Sequence, residues 1–142
     1  DIVRVNRLIE QAIANRDGVI VFPEATSTSG HSLLGFKPSL YQYPAKNDFP
    51  VSCASIHYRT SERDRPAYLS VCWWGDIEFV PHFLGLLKLS GFEATIRFSE
   101  HTVQGSNRKQ LAQQSWQLVR EQFVPTVDRL ETDEFGNKLP RV

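Results

Sequence analysis

The sequence predicts an α/β fold with a mixed, largely parallel sheet flanked by helices. Helix-like and strand-like periodicities alternate along the chain. The run Val19–Phe22 (VIVF) is short, apolar and β-branched, as strands covered on both faces are. Segments near both ends carry apolar residues at helical spacing.

The elements follow in order. Val5, Leu8, Ile9, Ala12 and Ile13 fit one face of an amphipathic helix, with Gly18 suited to end it. Val19–Phe22 reads as a buried, parallel strand. Residues 23–36 read as a loop rich in Ser, Thr and Gly. Pro38 suits a helical first turn, so a short helix is expected through about Ala45. "PVSCASIHYR" and "AYLSVCWWG" both read as strands, joined by the charged connection "TSERDRP". Asp76 is placed to cap a helix over Ile77–Leu89, with Pro81 in its early part. That segment is apolar on nearly every side, so it is either a core helix or one that touches lipid or an acyl chain. "FEATIRFSEHTV" alternates as a strand, with Phe92, Ala94, Ile96 and Phe98 on one side. A long helix is expected from about Asn107, with Ala112, Trp116, Val119 and Phe123 as its stripe and Pro125 at its end.

Composition narrows the function. The 142 residues are enough for one domain with a core. Lys+Arg and Asp+Glu balance at 16 each, which gives no global argument for nucleic acid as a partner. Cys53 and Cys72 lie in apolar runs without metal spacing and read as free buried thiols. No apolar window reaches the roughly 18 residues of a membrane-spanning helix. The chain begins at Asp1 and contains no Met.

The stretch "VIVFPEATSTSG" concentrates the chemistry. Glu24 follows the strand-like run directly, where open α/β sheets gather ligands. Small hydroxylated residues after it let backbone approach a polyol or phosphate head group. The competing reading is a plain turn in which Glu24 caps a neighbouring element. Lys37 could place a positive charge beside a phosphate, or simply be solvated. His31, His57, His82 and His101 are the candidate bases, and none has Asp at the fifth position on. His57 and Glu62 form a weak lookalike of a His–acid dyad. Neither G-x-S-x-G nor a phosphate-binding Gly loop occurs.

"VIVFPEATSTSG" with "LLGFKPSL" resembles the third conserved block of the glycerolipid acyltransferases, the lysophosphatidate and lysophospholipid acyltransferases of phospholipid synthesis. That block reads roughly F-P-E-G-T-R-S, followed by a hydrophobic pair and Pro-Phe-Lys. "FPVSCASI" resembles the fourth block, and the resemblance covers about residues 1–125. It implies a glycerolipid-acyltransferase-like fold. It implies acceptor binding by Phe22, Pro23, Glu24, Ala25, Thr26, Ser27 and Lys37, with Glu24 on the glycerol moiety. Pro50 matches the fourth-block Pro on the acyl-donor side.

The departures matter equally. Ala25 stands for the family Gly, Gly35 for the Pro of Pro-Phe-Lys, and Ser27 for the family Arg. A hydroxyl does not replace a guanidinium that holds phosphate bidentately. Ser27 therefore favours a lysophospholipid with a larger head group or a lyso-amino lipid over lysophosphatidate. The family's His-x4-Asp block supplies the catalytic base and precedes the third block by several dozen residues. Only 18 residues precede Val19, so the resemblance puts that block upstream of Asp1.

The expectation is thus a C-terminal portion of an acyltransferase domain over 1–130, truncated at the N-terminus, with a loose tail at 131–142. The resemblance implies acyl transfer from acyl-CoA or acyl carrier protein, as co-substrate, to a lysophospholipid hydroxyl in phospholipid biosynthesis. No catalytic residue is expected in these 142 residues, which alone should be inactive. No metal and no bound cofactor are implied. The parent would act on lysophospholipid and acyl-thioester substrates at the cytoplasmic face of a membrane, peripheral or anchored by an N-terminal segment. The alternative is a noncatalytic lipid-binding or interaction domain derived from that fold.

Overall fold

The computed structural model describes residues 2–127, 130–132 and 138–140. Asp1, ahead of which the His-x4-Asp block is expected, lies outside the described residues. In order, α1 spans Ile2–Ala14, a 3-10 turn Pro38–Tyr41, α2 Gln42–Asn47 and β1 Val51–Thr60. Then come α3 Ala67–Ser70, α4 Phe79–Leu86, β2 Phe92–Val103, α5 Arg108–Gln122, β3 Leu130–Thr132 and β4 Lys138–Pro140. The chain divides into two compact units, and each holds part of β1 and part of β2.

The first unit comprises residues 1–26, 34–54 and 98–122. It is built on α5, α1, the 3-10 turn and α2. Asn107 starts α5: its Oδ1 accepts the N–H groups of Lys109 at 2.9 Å and Gln110 at 3.3 Å, which the first helical turn leaves without intrahelical partners. The buried face of α5 is Leu111, Ala112, Ser115 and Val119. It packs on the 3-10 turn and α2, where Tyr41, Pro44 and Ala45 are buried. Trp116 of the expected stripe is only half-buried. On α1, Ile9 alone is buried, while Val5 and Leu8 stay exposed. Cys53 is a free buried thiol, and burial raises its pKa. Burial also pushes the Tyr41 phenol up to about 12.

The second unit comprises residues 27–33, 55–97 and 123–142. "AYLSVCWWG", expected as a strand, instead begins with the one-turn helix α3. Pro66, just before it, sets an extended entry, and the Ala67 carbonyl accepts the N–H groups of both Val71 and Cys72. The Ser70 hydroxyl closes the turn on the Arg65 and Pro66 carbonyls, both at 2.9 Å. A short apolar run fits strand and helix equally, and this local hydrogen bonding decides for helix. Cys72 is the second free buried thiol, its pKa pushed up to about 11 by burial. The helix expected over Ile77–Leu89 is shorter, α4, and it starts from Glu78 rather than Asp76. None of its residues is buried, so it is not a core helix of this chain. Phe79 stacks on Phe83 and meets Trp73 edge-on, with ring centroids 5.9 and 5.6 Å apart.

β1 and β2 form a two-stranded ladder. Arg59 meets Glu93, and Ser99 meets the Cys53 carbonyl, so the strands run antiparallel. The alternation of β2 is present, but its apolar side is the open one. Phe92, Ile96 and Phe98 are exposed while Thr95 and Ser99 are half-buried. β3 and β4 pair antiparallel, Leu130 opposite Pro140 and Thr132 opposite Lys138. The rest of the tail expected at 131–142 lies outside the described residues.

Val19–Phe22 departs most from its expected place as a buried parallel strand. It joins neither ladder, and Ile20 is 86% and Phe22 69% exposed. A parallel strand takes every backbone bond from neighbouring strands. Among the described residues both ladders are antiparallel, and neither offers this run a partner. No helix among the described residues is long and apolar enough to cross a membrane.

Candidate acceptor-binding loop

The loop after Val19–Phe22 opens with a tight turn. The Ala25 N–H donates to the Phe22 carbonyl at 3.1 Å, placing Pro23 and Glu24 at the two central positions. Pro suits the first of these because its ring presets φ. Ala25 follows at φ +60°, a left-handed conformation in which a β-carbon crowds the backbone.

Two hydrogen bonds then clasp the loop across its neck. The Lys37 N–H donates to the Pro23 carbonyl at 2.8 Å. The Leu34 N–H donates to Glu24 Oε2 at 2.7 Å. The structure therefore sets Pro23 and Glu24 beside residues 34–37, two stretches that the resemblance assigns to one block. Pro23 and Glu24 are half-buried, while Phe22, Ala25, Thr26 and Lys37 are exposed. Lys37 also leads into the 3-10 turn, where Pro38 takes the first position.

Pro50, also exposed, lies immediately before β1 and takes no part in the two bonds of the loop neck. Ser27 is exposed and belongs to the second unit. There Ser29 is buried, and Gly30 at φ +75° lies so close to Thr126 that an added β-carbon would sit 2.6 Å from Thr126 Oγ1. The Thr126 N–H donates to the Gly30 carbonyl at 2.8 Å.

Among the described residues no histidine forms a dyad with a carboxylate. His57 Nδ1 lies 3.2 Å from the Val124 carbonyl, the partner it has in place of Glu62. Among the described residues no cluster of three His, Cys, Asp or Glu side chains could hold a metal ion. A shallow cleft of about 510 Å³ in the first unit is lined by Gln42, Ala45, Lys46, Ser106, Asn107 and Arg108, and no loop residue lines it.

The sequence reading missed Leu34 and Thr126. Leu34 contributes a backbone N–H and Thr126 a close approach to Gly30, and neither role requires a particular side-chain pattern. Gly30 was the one available signal, since a glycine ending a hydroxylated run suggests backbone proximity.

The chain is 30% identical over 127 residues to a lyso-ornithine lipid O-acyltransferase of Rhizobium meliloti (strain 1021), a match covering 79% of this chain and 42% of that protein. It is 29% identical over 124 residues to the lyso-ornithine lipid O-acyltransferase of Brucella abortus (strain 2308), covering 76% and 46%. A third, from Rhodobacter capsulatus, is 28% identical over 87 residues, covering 58% and 31%. The chain is thus related to the lysolipid acyltransferases. It spans less than half the length of the curated relatives it matches. No family model and no solved structure matches the chain.

Proposed function

We propose that the whole protein transfers an acyl group from a thioester, acyl-CoA or acyl carrier protein, to the hydroxyl of a lyso-amino lipid of the lyso-ornithine class. One observation carries the head-group assignment: Ser27 stands where the resembling block has Arg. Ornithine carries no phosphate, so a residue that holds the phosphate of lysophosphatidate is not required there, and its amino group would repel a guanidinium. The names of the relatives support the same class of acceptor.

In this reading the clasped loop holds the acceptor, with the Thr26 hydroxyl and the Lys37 ammonium as its polar contacts. Pro50 serves the acyl-donor side. A histidine of a His-x4-Asp block, upstream of Asp1 in the whole protein, removes the hydroxyl proton. The oxygen attacks the thioester carbonyl, the C–S bond breaks, and the thiolate leaves to take up a proton. The α/β fold with a largely parallel sheet belongs to the whole protein, and Val19–Phe22 is the strand it would recruit. The exposed Phe79, Val80 and Leu84 of α4, with Leu87 just after it, suit contact with lipid at the cytoplasmic membrane face.

The test is acyl transfer by the full-length protein, using labelled acyl thioester and purified lyso-ornithine lipid. Labelled diacylated product is expected from it and none from residues 1–142 alone. Binding of the lipid without turnover by the full-length protein would favour the noncatalytic lipid-binding alternative. Turnover by residues 1–142 alone would place the base within this chain.

A further inference from the structure

We propose that Glu24 is a positioning residue, whose carboxylate holds the acceptor loop closed through the Leu34 N–H instead of contacting the acceptor itself. The observations are local and lie within one compact unit. Glu24 Oε2 accepts the Leu34 N–H at 2.7 Å, a distance typical of a charge-assisted bond. The Pro23 carbonyl accepts the Lys37 N–H at 2.8 Å beside it. Together the two bonds fix residues 34–37 against the Pro23–Glu24 turn, and so fix where the Lys37 backbone stands. Ala25, directly after the carboxylate, stands at φ +60°, a strained conformation for a residue with a β-carbon. Loss of the carboxylate would free Leu34 and let the Lys37 end of the loop drift.

The inference rests on the acyltransferase reading for its kinetic half only. Two variants of the full-length protein test it, Glu24→Ala and Glu24→Gln. The glutamine keeps a carbonyl oxygen for the Leu34 N–H and drops the charge. Amide exchange at Leu34 is read without substrate, and the KM values for lyso-ornithine lipid and acyl thioester are read separately. Glu24→Ala is expected to speed Leu34 exchange roughly tenfold or more, the loss of one hydrogen bond to a charged group. It should raise the acceptor KM by a similar factor and leave the thioester KM within about twofold. Glu24→Gln is expected to bring both back toward wild type.

Unchanged Leu34 exchange in Glu24→Ala would overturn the clasp. Glu24→Gln keeping slow Leu34 exchange but losing acceptor use as fully as Glu24→Ala would overturn positioning and assign direct contact. If the wild type transfers no acyl group, the function proposed above fails, and the exchange experiment still decides the clasp.

Discussion

Ala25 occupies a backbone conformation that its own β-carbon disfavours, at the last position of the turn that opens the candidate acceptor loop. The resembling block has Gly there, and the φ of +60° supplies the reason. Ala25→Gly is therefore expected to stabilise the protein by roughly 0.5–1 kcal/mol, the strain relieved exceeding the added unfolded-state entropy. Urea unfolding checks this through a higher midpoint at unchanged slope. Gly30 is the opposite case. Its φ of +75° and the 2.6 Å approach to Thr126 leave no room for a methyl group. Gly30→Ala should cost about 2 kcal/mol or more by the same measurement. Glu24 as the carboxylate of the loop was legible in the sequence. Its role as a cap on a neighbouring element was the competing reading of the sequence; that Leu34 supplies the N–H was not legible, because a backbone N–H leaves no compositional trace.

Among the elements, β1, β2 and α5 were legible, because long patterned segments carry their own periodicity. The cap of α5 was also within reach, since Asn107 precedes the first helical turn. Asn107→Ala is expected to destabilise by about 1 kcal/mol, seen as a lower thermal midpoint. The runs at Val19–Phe22 and Ala67–Ser70 do not form the expected strands among the described residues, for different reasons. The first has the composition of a buried strand, but strand formation needs a neighbour that no local residue supplies. The second was decided by Pro66 and by the Ser70 hydroxyl, both of which act on one turn. The exposed apolar side of β2 could not be anticipated either, since alternation defines two faces without saying which is covered.

A titratable clasp also joins two loops at Asp64. Ser90 donates its hydroxyl and its N–H to Asp64, and Ser61 donates at 2.8 Å, which lowers the Asp64 pKa. A depressed folded-state pKa means the stabilisation is present above the unfolded value, near about 3.9, and is lost as pH falls through the folded value. The difference in thermal midpoint between wild type and Asp64→Asn should accordingly be constant near neutrality and close below pH 4. A difference that persisted unchanged at lower pH would assign the effect to packing rather than charge.

For the whole molecule, the exposed apolar residues of Val19–Phe22, α4 and β2 agree with a chain that spans less than half the length of its relatives. The relationship to lysolipid acyltransferases was legible in the F-P-E-x-T element and its flanks. The parallel strands that the resemblance implies are not found among the described residues. Recognition of the head group without a phosphate clamp, as proposed, is tested most directly by competition in the full-length protein between lyso-ornithine lipid and lysophosphatidate for one labelled acyl thioester. Acylation mainly of lyso-ornithine lipid is expected in the wild type, with the ratio shifting toward lysophosphatidate in Ser27→Arg. Preferred acylation of lysophosphatidate by the wild type would contradict it.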